Sequence, residues 1–244
     1  MNKRNPITYV VALTRHIIHQ RRTNILHYNG LHLIVGGTGS GKTLLSSIIL
    51  NKIIPDNDIN NAFFWSNIDQ YDKNKTKLLN LNDVFYDGEQ QKRLYNRGCK
   101  GMILDEINLN FNRRNNGKKS YNDVFMGLIE LSITHRHQGI PRIYYIGQAE
   151  DMQDIQLQHI FRYKHVVKKR SKWSYHYYKV DGVIKSIPKK LIVTSYSKGD
   201  DGSWLFVKQQ KIKIAIADLE KYNTYGFANR LIEKPIYNYA PKNK

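Results

Sequence analysis

A chain of 244 residues, 41% hydrophobic and 24% charged, has the composition of a soluble globule with one well-buried α/β core. Lys and Arg number 39 against 20 Asp and Glu, a formal charge of +19 that favours polyanionic partners, nucleic acid before acidic membrane. One cysteine, Cys99, excludes an intrachain disulfide, and no run approaches the ~18 uninterrupted apolar residues of a membrane span.

Residues 1–30 read as an N-terminal helical segment. Its apolar run, Ile7 to Leu13, ends at Thr14-Arg15 without a small-residue cleavage site, so a signal peptide is not expected. Leu31 to Val35 is a short apolar run suited to a buried parallel strand. Gly36 to Thr43 then reads GGTGSGKT, which satisfies G-x-x-x-x-G-K-[ST] at every fixed position. Leu44, Leu45, Ile48, Ile49 and Ile53 recur at helical spacing until Pro55 stops the helix. Strand, glycine loop and helix in this order make a phosphate cradle. The backbone N–H groups of Gly36, Gly37, Thr38, Gly39, Ser40 and Gly41 wrap the anion, and the helix aims its positive end at it. Lys42 would reach the β- and γ-phosphates, and the Thr43 hydroxyl would hold Mg²⁺.

Ala62 to Trp65 reads as a second strand, closed by Ser66-Asn67. Tyr71 to Asn82 is polar and lysine-rich, hence a loop or exposed helix. Val84 to Tyr86 reads as a short strand and Glu89 to Arg97 as a brief polar helix. Gly101 to Leu104 is a core strand ending at Asp105-Glu106. In an open α/β sheet the ligand sits at the carboxyl ends of the strands, where this pair is delivered. Asp105 would hold Mg²⁺ opposite Thr43, and Glu106 could orient and deprotonate an attacking water. A base for water suits hydrolysis better than transfer to a small acceptor. No [NT]-K-x-D guanine-reading motif occurs, so ATP is the expected nucleotide.

Phe111 to Tyr121 is a basic, glycine-containing loop, and Asp123 to His137 a helix stopped near Gly139 and Pro141. Arg142 to Ile146 is a further strand, followed by Gly147 and Gln148, whose amide could sense the γ-phosphate or the water. Asp151 to Phe161 reads as a helix. Arg136, at the end of a helix aimed toward the same sheet edge, could act as an arginine finger in cis or across a subunit interface, with Arg162 among its rivals. From Tyr163 the texture becomes alternating strands: Val166 to Arg170, Trp173 to Val180, an Asp181-Gly182 hairpin, Val183 to Ile187, Leu191 to Tyr196 and Trp204 to Lys208. Ala217 to Ile232 is a last helix. The fold class is therefore α/β, a parallel sheet flanked by helices over residues 31–162, with a basic β-rich extension and terminal helix over 163–244. Between Lys164 and Lys179 cations interleave with Trp173, Tyr175, Tyr177 and Tyr178, a pattern that pairs with phosphates and stacks on unpaired bases.

In this order the motifs become recognisable. GGTGSGKT, WSNID (Trp65 to Asp69), ILDEINLNFNRR (Ile103 to Arg114), THRHQGI (Thr134 to Ile140), YYIGQ (Tyr144 to Gln148) and DIQLQHIFRYKH (Asp154 to His165) cover about half the chain. On them it resembles the zonula-occludens-toxin-like assembly ATPases of filamentous phages. These belong to the DNA-pumping P-loop ATPases that include FtsK and HerA. The resemblance implies a RecA-like P-loop NTPase fold in which Lys42, Thr43, Asp105, Glu106 and Gln148 handle ATP and Mg²⁺, with Arg136 and Arg162 as finger candidates. It implies a homo-oligomer, typically a ring, whose ATP hydrolysis drives viral DNA, single- or double-stranded, through assembly or packaging alongside coat or membrane-embedded proteins. Those phage proteins generally carry a transmembrane helix and a further domain after the ATPase, and neither is expected here. A place in the host cytoplasm follows, free, peripheral at the inner membrane face or associated with virions. Two other readings stand beside it: a small-molecule phosphotransferase, and a basic nucleic-acid-binding protein with a vestigial phosphate loop.

Overall fold

The computed structural model describes residues 25–58, 61–67, 71–72, 74–79, 98–105, 119–148, 155–169, 175–180 and 183–214. Strand β1 (Gly30–Val35) leads through the glycine loop into helix α1 (Lys42–Ile53). Strands β2 (Phe63–Ser66), β3 (Thr76–Leu78) and β4 (Cys99–Leu104) follow. Helix α2 (Lys119–Thr134), β5 (Arg142–Gly147) and α3 (Ile155–Ile160) come next. The chain then runs through β6 (Tyr163–Lys169), β7 (Tyr175–Val180), β8 (Val183–Pro188), β9 (Lys190–Lys198) and β10 (Trp204–Lys213).

Among the described residues eight strands form one sheet in the order β10-β9-β6-β1-β5-β4-β2-β3. From β6 to β3 every pairing is parallel. All six residues of β1 are buried, because helices cover both of its faces. Leu31, Leu33 and Val35 pack with Leu128 and Leu131 of α2 and Leu157 of α3. Ile34 packs on the other side with Leu44, Leu45, Ile48 and Ile49 of α1. Successive strand residues serve opposite buried layers, so apart from His32 the strand reads as a hydrophobic run instead of an alternation. α1 itself is buried from Leu44 to Leu50, and it ends where Ile54 turns extended before Pro55.

β6 is the seam of the sheet. It runs parallel to β1 on one side and antiparallel to β9 on the other, and β9 in turn pairs antiparallel with β10. The β-rich extension thus grows directly from the phosphate-loop sheet. β7 and β8 pair with each other as a two-stranded sheet, register Val180↔Val183, as the hairpin signal predicts.

Two expectations are corrected. Tyr71 to Asn82, read as loop or exposed helix, contains β3, which pairs with β2. Its polarity is deceptive: Lys75 is 1% exposed, and its ammonium is satisfied by Asp56 at 2.7 Å and Asn51 at 3.1 Å. Helix α2 starts at Lys119, inside the expected basic loop, and ends at Thr134, before the expected His137. Residues 1–24 of the expected N-terminal helical segment, and the expected elements at Val84 to Tyr86, Glu89 to Arg97 and Ala217 to Ile232, lie outside the described residues. Among the described residues no helix is long and apolar enough to cross a membrane.

Candidate nucleotide site

The carboxyl edge of the parallel sheet carries the site. β1 ends at Val35, and the Gly36 N–H continues its ladder by donating to the Gln148 carbonyl at 3.2 Å. The loop then tightens, Ser40 N–H donating to the Gly37 carbonyl at 3.0 Å, and enters α1 through Gly41, whose φ of 96° is left-handed. A Cβ at Gly41 would also lie 2.8 Å from the Leu191 side chain, and one at Gly36 would lie 2.5 Å from the Val167 carbonyl oxygen. Both positions therefore demand glycine, one for conformation and space, the other for space. No side chain caps the start of α1, so its first N–H groups face the loop as an anion site.

Lys42 Nζ donates to the carbonyls of Gly36 at 2.7 Å and Gly37 at 3.2 Å, which folds its stem across the loop. Thr43 Oγ1 donates to Asp105 Oδ2 at 2.9 Å, across 62 residues of sequence. β5 lies between β1 and β4, so the residue ending β4 faces the first turn of α1 over one intervening strand. Asp105 is 2% exposed and is clamped by Asn67, which follows β2. Asn67 Nδ2 donates to the Asp105 carbonyl at 2.9 Å, and the Asp105 N–H donates to Asn67 Oδ1 at 2.8 Å. A hydroxyl and a carboxylate fixed in contact are hard oxygen donors of the kind Mg²⁺ takes, so the residues fit that ion.

No protein-family profile matches the chain. In sequence it is 22% identical over 219 residues to an uncharacterised 37.2 kDa protein of Acholeplasma phage L2, over 85% of this chain and 70% of that one. In structure it is similar to the N-terminal domain of zonular occludens toxin from Neisseria meningitidis, with a TM-score of 0.51 and 18% identity, over 80% of this chain and all of that one. The chain has the P-loop NTPase fold. The genome packaging NTPase B204 of Sulfolobus turreted icosahedral virus 2, in complex with AMPPCP, aligns at a TM-score of 0.40 and 14% identity over 76% of this chain and 99% of that one.

Within this P-loop NTPase fold the expected site residues divide in two. Gly36 to Thr43, Asp105 and Gln148 meet at the carboxyl edge, with Gln148 exposed beside the loop. Glu106 lies outside the described residues. Arg136 and Arg162 fall at the opposite edge, which corrects the expectation that the helix ending near Arg136 is aimed toward the phosphate-loop edge. A crossover helix in a parallel sheet runs back from the carboxyl edge, so the turn after α2 lies at the start of β5. Arg162 donates its backbone N–H to Leu31 at the start of β1. Five strand residues, about 17 Å, separate Leu31 from Gly36, beyond the reach of an arginine side chain.

Asn67 is the residue that sequence reasoning missed. Its signal was the amide at the end of the second strand in WSNID, unreadable until its partner is known. A second unforeseen feature is a buried chain of hydrogen bonds below the loop strand. His32 Nε2 meets the Tyr28 carbonyl at 2.9 Å, His32 Nδ1 meets His165 Nε2 at 2.9 Å, and His165 Nδ1 meets Ser195 Oγ at 2.9 Å. Tyr144 and Tyr163 lie against the His32 ring at 4.7 and 4.8 Å. Burial lowers the pKa of His32 to about 3 and that of His165 well below its ordinary value. Both rings are neutral. The bond to the Tyr28 carbonyl puts a proton on His32 Nε2, so His165 donates to His32 and Ser195 donates to His165.

Proposed function

We propose that this chain is the ATP-hydrolysing subunit of an oligomeric motor that moves viral DNA during phage assembly or genome packaging in the host cytoplasm. The observation that carries the reading is the 2.9 Å bond from Thr43 to Asp105, which joins the phosphate loop to the carboxylate ending β4. A vestigial loop has no reason to keep that pair aligned. The +19 charge supports a polyanionic track, and the match to a phage protein supports the viral setting.

In this mechanism the loop N–H groups and the start of α1 hold the phosphates, and Lys42 exchanges its loop carbonyls for β- and γ-phosphate oxygens. Thr43 and Asp105 would hold Mg²⁺, which would supply positive charge against the charge developing on the phosphates. Asn67 keeps Asp105 from turning away. Glu106, next in sequence, orients and deprotonates water, and Gln148 reads the γ-phosphate from the end of β5. Arg136 or Arg162 would serve as finger to a neighbouring subunit's nucleotide, since both lie at the far edge of their own.

The deciding experiment measures ATP hydrolysis with single-stranded DNA, duplex DNA or neither, over a range of protein concentrations. Turnover should rise with DNA and with concentration, and a rate indifferent to both sinks the motor. Glu106→Gln should retain ATP without cleaving it; brisk turnover by that variant removes the assigned base.

A further inference from the structure

β6, β9 and β10 together hold eight lysines and no acidic residue in 26 positions. Period-two alternation splits them into two faces. His165, Val167, Leu191, Val193 and Ser195 point inward and are buried at 1% exposure or less. The opposite face is laid out in rows by the register. Lys168, Ile192 and Lys211 form one row, and Val166, Thr194 and Gln209 the next. Lys164, Tyr196 and Phe206 form the third, and Lys198 and Trp204 the fourth.

Ring and cation contacts confirm that these side chains share a face. Lys164 Nζ lies 4.7 Å from the Trp204 ring and 5.3 Å from the Tyr196 ring, with Lys198 Nζ 5.4 Å from Trp204. Tyr196 and Phe206 meet edge to face at 6.1 Å. Phe206 is nevertheless 63% exposed, and Lys168, Lys211 and Lys213 are exposed further along the same face. Asp200 and Asp201 lie in the turn beyond the strand ends, where Asp201 accepts from Ser203 N–H at 3.0 Å and Oγ at 2.7 Å.

We propose that this outer face of β6, β9 and β10 is a platform for single-stranded DNA, with Phe206 and Tyr196 stacking on bases and the surrounding lysines paired with phosphates. The assignment rests on the DNA reading above and adds to it the surface and the strandedness. The charge is uniform and positive, which suits a polyanion better than the apolar face of another protein. Exposed rings stack on unpaired bases, whereas duplex bases already stack on one another. The basic face and the phosphate loop then use opposite sides of the same strands.

The test is fluorescence anisotropy of the full chain with a labelled oligothymidylate and a labelled duplex of equal length, with Phe206→Ala and Lys211→Ala as variants. The wild type should prefer the single strand. Phe206→Ala should weaken that binding roughly tenfold, as loss of one stacked base does, with an unchanged thermal midpoint because the ring is exposed. Lys211→Ala should flatten the salt dependence by about 0.7 in the log–log slope, the loss of one phosphate contact. Wild-type preference for the duplex, or variants that bind the single strand as the wild type does, overturn the platform and leave the DNA motor standing. A wild type that binds neither DNA ends both.

Discussion

Asn67 places its amide against both backbone polar groups of Asp105, and so sets the angle at which that carboxylate meets Thr43. Groups that orient a metal ligand from behind typically change metal affinity 10- to 100-fold when removed. Asn67→Ala should therefore raise the Mg²⁺ concentration for half-maximal hydrolysis by roughly tenfold, with unfolding stability lower by about 1–3 kcal/mol for the two lost partners. An unchanged Mg²⁺ requirement would mean that Asp105 needs no clamp. Lys42→Ala should abolish turnover, since no other cation of the motif reaches the loop interior. The contrast between these residues shows what a sequence discloses. Lys42, Thr43 and Asp105 were legible because each sits at a fixed step in a strand-to-loop transition. Asn67 ends a strand like many a polar residue, and its meaning resides in a partner 38 positions away.

At the scale of elements, β1, α1, β4 and β5 were readable because both their faces bury apolar side chains. β3 was not, since its approach is held by a buried lysine. Asp56→Ala should expose that weakness, lowering the thermal midpoint because it strips the Lys75 ammonium of its 2.7 Å partner; a midpoint equal to wild type refutes the role. The linked histidines make a sharper prediction. His32 and His165 are neutral in the fold, His32 with a pKa of about 3, whereas an unfolded histidine titrates near 6.5. Below 6.5 the unfolded chain binds more protons, so their stabilisation is whole above that pH and drains away as pH falls toward 3. The loss is up to about 1.4 kcal/mol per pH unit for each ring. Thermal midpoints recorded from pH 7.5 to 5 should fall over that range, and a flat profile counts against neutral rings. Nothing in the sequence announced this pair, because β1 and β6 are 133 residues apart at that bond and become neighbours only in the sheet.

At the scale of the whole molecule the change of texture near Arg162 was visible, but its architecture was not. Alternating strands read equally well as a separate unit, and register across β6 made them one sheet with the loop strand. A net charge of +19 favours a polyanionic partner without saying which surface would meet it. The string from Lys164 to Lys179 drew attention, yet the rings on the described basic face are Tyr196, Trp204 and Phe206. Sheet continuity has a mechanical consequence. Gly36 rests on the Val167 carbonyl and Gly41 on the Leu191 methyls, each with less clearance than a single carbon atom needs. No cushion separates the two: a displacement of β6 or β9 would pass directly to the glycine loop, and a tightening of that loop would pass back to those strands.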